Sequence, residues 1–237
     1  MIIIILITLT LVLAPAQLQA DTHNDVSYYQ TGEASRDGIG KFYMGREISH
    51  VMSHLGAGWL ERSTREGEER TDLLLQKLAL KATDHVADLG AGTGYFSFPI
   101  AQQVIAGKVL AVDIEPEMLR LVEQRKLVEG VSNIDTVLAS EQSPNIPNAS
   151  VDVALLVDAY HEFSYPREVM AGVVKGLKPG GRVVLVEYRG EDRSVPIKRL
   201  HKMTERQAKK EMSAVGLQWL RTDDYLPQQH VMVFTKQ

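Results

Sequence analysis

Residues 86–95 read Val86-Ala87-Asp88-Leu89-Gly90-Ala91-Gly92-Thr93-Gly94-Tyr95. A short apolar run ends in an acid, three glycines then alternate with small residues, and a helical pattern follows. This order predicts a β-strand, a tight turn and a helix N-terminus. Glycine is needed where a ligand approaches the backbone closely, because a Cβ would block that approach. The stretch therefore predicts a turn that binds a nucleotide-like ligand.

A second acid lies at the end of the next predicted strand. Residues 109–114 are Val-Leu-Ala-Val-Asp-Ile, and Asp113 follows Gly94 by 19 residues, which fits one helix and its return. A carboxylate at such a strand end can accept hydrogen bonds from both hydroxyls of a ribose. The alternative is a helix N-cap, since Glu115-Pro116-Glu117 begins a helix directly afterwards. Together with the glycine turn, the pattern favours ribose binding.

These two features resemble the class I methyltransferases that use S-adenosylmethionine (SAM). The glycine spacing is G-x-G-x-G, whereas nicotinamide-binding turns have G-x-G-x-x-G. The resemblance implies an α/β fold: a Rossmann-like three-layer sandwich with a seven-stranded, mostly parallel sheet, an antiparallel last strand and a helical N-terminal lid. It also implies SAM as cofactor. The residues expected to bind it are Asp88, Gly90, Ala91, Gly92, Gly94, Tyr95, Asp113, Ile114, Met118, Ser140, Glu141 and Asp158.

Hydrophobic periodicity predicts the remaining elements. Strands are expected near residues 85–89, 134–139, 151–157, 183–188, 217–222 and 231–236. Helices are expected near residues 71–80, 95–106, 116–129, 166–177 and 204–215. Pro99 should kink its helix or stay within the first turns. The turn Leu177-Lys178-Pro179-Gly180-Gly181 is a second hallmark of the resemblance.

The candidate chemistry follows the fourth predicted strand, in Asp158-Ala159-Tyr160-His161-Glu162-Phe163-Ser164. A histidine at a strand's carboxyl end can remove a proton from a hydroxyl acceptor. The segment resembles the His-Asp-Trp-Ser stretch of plant-type small-molecule O-methyltransferases, in which the histidine is the general base. Alternatively, His161 caps the next helix or packs under it. The reaction would not then lack an essential group, because many methyltransferases need only proximity and orientation of the reactants. Residues expected to bind the acceptor are Tyr43, Arg46, Tyr160, Glu187 and Tyr188.

Two further segments bear on the acceptor pocket. Residues 189–210 carry eight Lys or Arg against three Asp or Glu. They either cover the pocket and favour an anionic acceptor, or form a solvated surface insertion. Residues 41–70 have an apolar spacing that predicts helical segments broken by Gly56 and Gly58, and the resemblance implies a lid there. Residues 21–40 are polar and turn-rich, which predicts a mobile lead-in.

The first 20 residues differ in character from the rest. Residues 1–13 are almost wholly apolar, and small and polar residues follow up to Ala20. This pattern predicts a secretory signal cleaved after Ala20 or Ala16, and hence an exported, periplasmic or membrane-anchored protein. No Lys or Arg precedes the apolar run, so an uncleaved anchor, or a misassigned start codon and a cytoplasmic protein, are the alternatives. The expected division is residues 1–20, an extension over 21–70 and the methyltransferase domain over 71–237.

Composition narrows the function classes. A 237-residue chain with 44% hydrophobic and 24% charged residues suits one α/β domain with additions. A net charge of −4 gives no sign of a nucleic-acid partner, the absence of cysteine excludes thiolate chemistry, and no metal site is predicted. The leading hypothesis is methyl transfer from SAM to a small-molecule acceptor, at oxygen. The alternatives are a non-catalytic SAM-binding envelope sensor and a nicotinamide-dependent oxidoreductase.

Overall fold

A central seven-stranded sheet organises the computed structural model, which describes residues 28–236. The predicted signal segment, residues 1–20, lies outside the described residues. The helices are α1 (Ala57–Leu60), α2 (Arg65–Glu69), α3 (Thr71–Lys77), α4 (Ser97–Gln103), α5 (Pro116–Glu129), α6 (Pro166–Gly176) and α7 (Glu205–Ser213). The strands are β1 (Tyr29–Thr31), β2 (Gly38–Tyr43), β3 (Arg46–Ser49), β4 (His85–Leu89), β5 (Lys108–Asp113), β6 (Ile134–Leu138), β7 (Val151–Val157), β8 (Leu177–Tyr188), β9 (Leu217–Asp223) and β10 (Gln229–Lys236).

The strand order of the large sheet is β6-β5-β4-β7-β8-β10-β9. Strands β6, β5, β4, β7 and β8 pair in parallel, and β10 runs antiparallel to both β8 and β9. This confirms the predicted seven-stranded, mostly parallel sheet. Because parallel strands end at one edge, Asp88, Asp113 and Asp158 are brought together there.

Apolar side chains cover both faces of the sheet, which gives the three layers. One core cluster joins Val86 to Phe98 of α4 and Val122 of α5. The other joins the neighbouring Ala87 to Met170 of α6 and Met212 of α7. Successive residues of β4 therefore point into opposite cores, as expected for a central strand buried on both sides.

Most predicted elements lie where the sequence places them. β4, β7 and α5 have the predicted bounds, and Pro99 occupies the first turn of α4, where its missing N–H costs little. The Thr204 side chain accepts a hydrogen bond from the backbone N–H of Gln207, 3.1 Å away, and so caps α7 at the start of the helix predicted near residues 204–215. Leu127 is exposed at the end of α5 and contributes nothing to the core.

The N-terminal extension departs from the predicted mobile lead-in and helices. β1, β2 and β3 form a three-stranded antiparallel sheet, and short helices begin only at residue 54. Met44 and Gly45 both have positive φ, 50° and 96°, and form the two-residue hairpin turn between β2 and β3. The helical lid is thus partly a β-sheet. The Met-Gly pair between the two short strands is the sequence feature that could have indicated this hairpin.

The helices of residues 28–236 are all too short or too polar to cross a lipid bilayer. The longest of them, α5, has 14 residues, whereas a membrane span needs about 20 apolar ones.

Candidate functional site

A cavity of about 510 Å³ lies at the carboxyl edge of the parallel strands. Its floor is the turn between β4 and α4 together with the residues that follow β5 and β7. Segments 51–69 and 196–201 cover it from above. The topology therefore brings the glycine turn and the post-β7 segment, which are far apart in the chain, to one cavity.

The glycine turn follows the predicted geometry at its first two glycines. Gly90 and Gly92 have φ of +72° and +54°, a region that residues with a side chain rarely adopt. A Cβ on Gly90 would lie 2.5 Å from the Cβ of Ala159, and one on Gly92 would lie 2.7 Å from Cδ1 of Leu60. Both glycines line the cavity. A side chain at either position would clash with a neighbouring residue of the protein.

Gly94 has a different position from the one predicted. It does not line the cavity, and a Cβ there would lie 2.9 Å from Cε2 of Phe98 and 3.2 Å from Cγ2 of Val122. Its φ of +82° lets the chain turn into α4 while that helix packs against α5. The expectation of cofactor contact at Gly94 is therefore corrected to a role in the turn and in helix packing.

Asp113 ends β5 directly beside the glycine turn. Its Oδ2 accepts from the backbone N–H of Gly92 at 2.8 Å, and its Oδ1 accepts from that of Glu115 at 2.9 Å. Each carboxylate oxygen can accept two hydrogen bonds, so both keep an acceptor position. Burial raises the pKa of Asp113, and the backbone donors oppose that shift. The side chain thus stabilises the turn and still presents two acceptors to the cavity.

Two other acids line the cavity with little solvent contact. Oδ2 of Asp88 accepts from the Ser97 hydroxyl at 2.6 Å, and burial raises the pKa of Asp88 to about 6. Oδ2 of Asp158 accepts from Nε2 of Gln229 at 2.9 Å. Its buried Oδ1 has no partner within residues 28–236. Burial, followed by the charges of Glu69 and Glu187, raises the pKa of Asp158. Both acids are suited to face a positively charged ligand.

The remaining residues predicted to bind the cofactor also line this cavity. Ile114 is partly exposed and Met118 is buried, so together they offer an apolar surface next to Asp113. The Tyr95 hydroxyl lies 3.0 Å from Oγ1 of Thr71, which ties the glycine turn to α3. The others on the cavity wall are Ala91, Ser140 and Glu141.

His161 lines the same cavity as the glycine turn and is 2% exposed. Its Nδ1 is 2.7 Å from Oε2 of Glu187, and its backbone N–H donates to Oε1 of the same residue at 3.2 Å. Burial lowers the pKa of His161 to about 3 and raises the pKa of Glu187 to about 8, because each charge is poorly solvated. The two contacts to Glu187 fix the ring and leave Nε2 as its second reactive atom.

A second histidine, which the sequence analysis did not single out, completes this wall. Nδ1 of His201 is 3.2 Å from Nε2 of His161. Oε1 of Glu162 lies 3.8 Å from Nε2 of His161 and 3.5 Å from Nδ1 of His201. All three residues line the cavity. The basic insertion, residues 189–210, thus covers part of the pocket. This is one of the two alternatives that its sequence predicted.

Three residues expected to contact the acceptor lie beneath the cavity. Tyr43 and Tyr160 are fully buried, and neither they nor Arg46 line the cavity wall. The Arg46 guanidinium pairs with Glu211 at 2.9 Å, and its Nη1 donates to the backbone carbonyl of His161 at 3.0 Å. Arg46 thus supports the His161 segment, and none of the three side chains has the position on the cavity wall that the predicted contact with the acceptor requires.

The two residues at the end of β8 divide between wall and support. Glu187 reaches the cavity only through the ring of His161, since it is fully buried and does not line the wall. Tyr188 does line the cavity, and its hydroxyl donates to Oε1 of Glu69 at 2.9 Å. Of the five residues expected to contact the acceptor, Tyr188 is therefore the one that lines the cavity.

The cover over the glycine turn comes from the N-terminal extension. Leu60 lies against Gly92, and the Thr93 hydroxyl donates to Glu61. Further along, Nε of the buried Arg65 is 3.0 Å from Oε2 of Glu69, and both residues line the cavity. The charged side chains of Arg65 and Glu69 are therefore buried over the site.

Comparison with known proteins identifies the domain. The profile of the family described as Methyltransferase domain matches residues 87–185. An uncharacterized methyltransferase-like protein of Schizosaccharomyces pombe is 30% identical over 153 residues, which are 63% of this chain and 56% of that protein. A ubiquinone/menaquinone biosynthesis C-methyltransferase of Francisella tularensis is 28% identical over 48% of this chain and 46% of its own.

The fold comparison agrees. A SAM-dependent methyltransferase of Aquifex aeolicus superposes with a TM-score of 0.73 at 19% identity, covering 78% of this chain and 98% of its own. Residues 87–185 therefore match the methyltransferase-domain family, and the chain has the fold of a SAM-dependent methyltransferase. It spans about half the length of the curated relatives that it matches, so its acceptor and partners are matters of proposal.

The cavity of this methyltransferase domain fits SAM, the cofactor of the family. The cofactor carries an ammonium and a sulfonium charge, and the cavity is lined by Asp88 and by Asp158, whose buried Oδ1 has no partner within residues 28–236. Asp113 offers acceptors for ribose hydroxyls, and Ile114 and Met118 offer an apolar surface for a flat base. Gly90 and Gly92 bring the backbone to the cavity at positions that have no room for a Cβ.

Proposed function

We propose that this protein transfers a methyl group from SAM to an oxygen atom of a small-molecule acceptor. One observation carries the proposal: the glycine turn, Asp113 and the ring of His161 line the same cavity, and Glu187 holds that ring from behind the wall. A cofactor site and a candidate proton acceptor that share one enclosed space can act on one acceptor molecule. Holding two reactants in that geometry is itself a large part of catalysis.

The bound cofactor supplies an electrophilic methyl group on a sulfonium centre. The residues of the chain then have three tasks. The cavity floor holds the cofactor by its ribose and its charges. Segments 51–69 and 196–201 cover the reactants, which excludes water. The cluster of His161, Glu162 and His201 faces the acceptor, where Nε2 of His161 can take the proton of a hydroxyl group. That oxygen is then the nucleophile.

Glu187 is proposed to position the proton acceptor. It holds Nδ1 of His161 at 2.7 Å and its backbone N–H at 3.2 Å, so the ring cannot turn without losing a contact. A histidine oriented by a buried carboxylate is a common arrangement for a general base. The small volume of the cavity, about 510 Å³, supports a small molecule as acceptor.

Substitution of His161 tests the assignment. We expect His161→Ala to retain SAM affinity within about twofold and to lose about 10²-fold or more of turnover, the typical cost of removing a general base. The measurement combines calorimetric titration of SAM with transfer of labelled methyl from SAM into an extract fraction. Exposed His50→Ala is the control and should keep turnover. Unchanged turnover in His161→Ala would remove the proposed role.

The acceptor atom is tested separately, because one relative is named as a C-methyltransferase. A hydroxyl acceptor predicts a product whose new methyl group is bonded to oxygen, as NMR of the isolated product would reveal. A methyl group on carbon would retain methyl transfer but overturn the oxygen assignment. Binding of SAM with no labelled product from any extract would instead favour the non-catalytic sensor.

A further inference from the structure

We propose that His161, Glu162 and His201 form a binding site for a divalent transition-metal cation, Zn²⁺ by its donor set. The cation-binding claim stands on the geometry of these three side chains. Its consequence for catalysis rests on the proposed function. The sequence analysis predicted no metal site, because His201 lies 40 residues from His161 in a basic insertion.

The spacing of the three donor atoms matches a shared metal ion. Nε2 of His161, Nδ1 of His201 and Oε1 of Glu162 are separated by 3.2, 3.5 and 3.8 Å. Ligands about 2.0–2.1 Å from Zn²⁺ at tetrahedral angles lie about 3.3–3.4 Å apart. A hydrogen bond between the two rings would explain the shortest separation. That hydrogen bond would not explain the position of Oε1 of Glu162, which faces both ring nitrogens at 3.5 and 3.8 Å.

Second contacts orient two of the three donors. Glu187 holds Nδ1 of His161 at 2.7 Å, which directs Nε2 toward the other donors. The backbone N–H of Met52 donates to Oε2 of Glu162 at 3.0 Å, which leaves Oε1 for the cluster. Metal-binding histidines commonly have their other ring nitrogen bonded to a carboxylate in this way. The arrangement is prepared before a cation binds.

The donor set indicates the cation and the kind of ligand that completes its coordination. Two imidazoles and one carboxylate suit Zn²⁺ and its neighbours, whereas Mg²⁺ and Ca²⁺ prefer oxygen ligands. Three protein ligands leave a fourth position, and the cluster lines the cavity shared with the glycine turn. The fourth ligand would be water or an oxygen of the acceptor, from a hydroxyl or carboxylate group.

Cation binding would change how the acceptor is activated. With the cation bound, Nε2 of His161 is a ligand and no longer accepts a proton. A hydroxyl group on the cation would release its proton to solvent water more readily, because the cation stabilises the resulting oxyanion. The protein without the cation would use the imidazole as base. Chelation should therefore lower turnover if the loaded form is the active one.

Cobalt titration tests the site without reference to methyl transfer. We expect the full chain to bind one Co²⁺ and to show the strong visible absorption typical of four-coordinate cobalt, with Zn²⁺ displacing it. His201→Ala and Glu162→Gln should each weaken binding by about tenfold or more and lose the band. Glu187→Gln should weaken it by about 10- to 100-fold.

A second cluster supplies the control. His54, Glu115 and Glu117 also converge, but on a more exposed surface. His54→Ala should leave the cobalt band unchanged. Loss of the band in His54→Ala with retention in His201→Ala would overturn the proposal, as would absence of any band in the folded wild type. SAM titration of the same samples distinguishes a failed metal site from a failed methyltransferase assignment.

Discussion

Asp88 places an unfavourable charge inside the free protein at neutral pH. It is 3% exposed, and its Oδ2 has the Ser97 hydroxyl as donor. Burial raises its pKa from 3.8 to about 6, so folding favours the protonated acid. A raised pKa gives stability that is complete below the unfolded pKa and is lost as pH rises through the folded pKa. A destabilising group at the cofactor cavity is expected where function needs the charge.

Asp88→Asn should therefore stabilise the free protein at pH 8 and not at pH 4. The predicted gain at pH 8 is about 2–3 kcal/mol, from a shift of roughly two pKa units. Denaturant unfolding at both pH values measures it. Ser97→Ala should have the opposite effect, since it removes the hydroxyl that donates to Asp88. Equal effects of Asp88→Asn at the two pH values would contradict this account.

At the scale of elements, the strand ends were the predictable part of the site. In a parallel sheet the residues that follow β4, β5 and β7 must share one edge, so Asp88, Asp113 and Asp158 could be grouped from sequence. The His161–Glu187 contact follows the same logic, because Val157 of β7 pairs with Val186 of β8. The position of His201 could not be predicted, since no periodicity governs an irregular insertion.

A comparison of Gly94 with Gly216 distinguishes the cost of backbone strain from the cost of crowded side-chain packing. Gly94 and Gly216 both have φ of +82°, but only Gly94 has neighbours where a Cβ would stand. Gly216→Ala should cost about 1–2 kcal/mol for the left-handed backbone alone. Gly94→Ala should cost about 1–3 kcal/mol more, because the methyl group meets Phe98 and Val122. Thermal unfolding of both variants measures the two losses of stability. Equal losses would exclude the packing role of Gly94.

The start of α7 offers a test of a feature that was read from sequence. Thr204→Ala removes the acceptor for the Gln207 N–H and should cost about 1 kcal/mol of stability. Thr204→Ser keeps a hydroxyl and should restore most of it. Urea unfolding of the two variants provides the measurement. If Thr204→Ala matches the wild type, the cap contributes nothing to folding.

At the scale of the whole molecule, one cavity joins three parts of the chain. The glycine turn forms its floor, the post-β7 segment forms one wall, and the N-terminal extension with the basic insertion covers it. The sheet and the floor follow from short motifs and hydrophobic periodicity. The covering segments do not, because their positions depend on tertiary contacts such as Leu60 against Gly92.

The central claim is that this cavity binds SAM through Asp113, and calorimetric titration tests it most directly. The wild type should bind one SAM per chain and should not bind NADH. Asp113→Ala should weaken SAM binding by about tenfold or more, since hydrogen bonds to a charged group are each worth about 1.5–3 kcal/mol. Asp135→Ala, which removes an exposed acid of the neighbouring strand β6, should bind as the wild type does. Binding of NADH without SAM, or equal SAM affinity in a folded Asp113→Ala variant, would contradict the account.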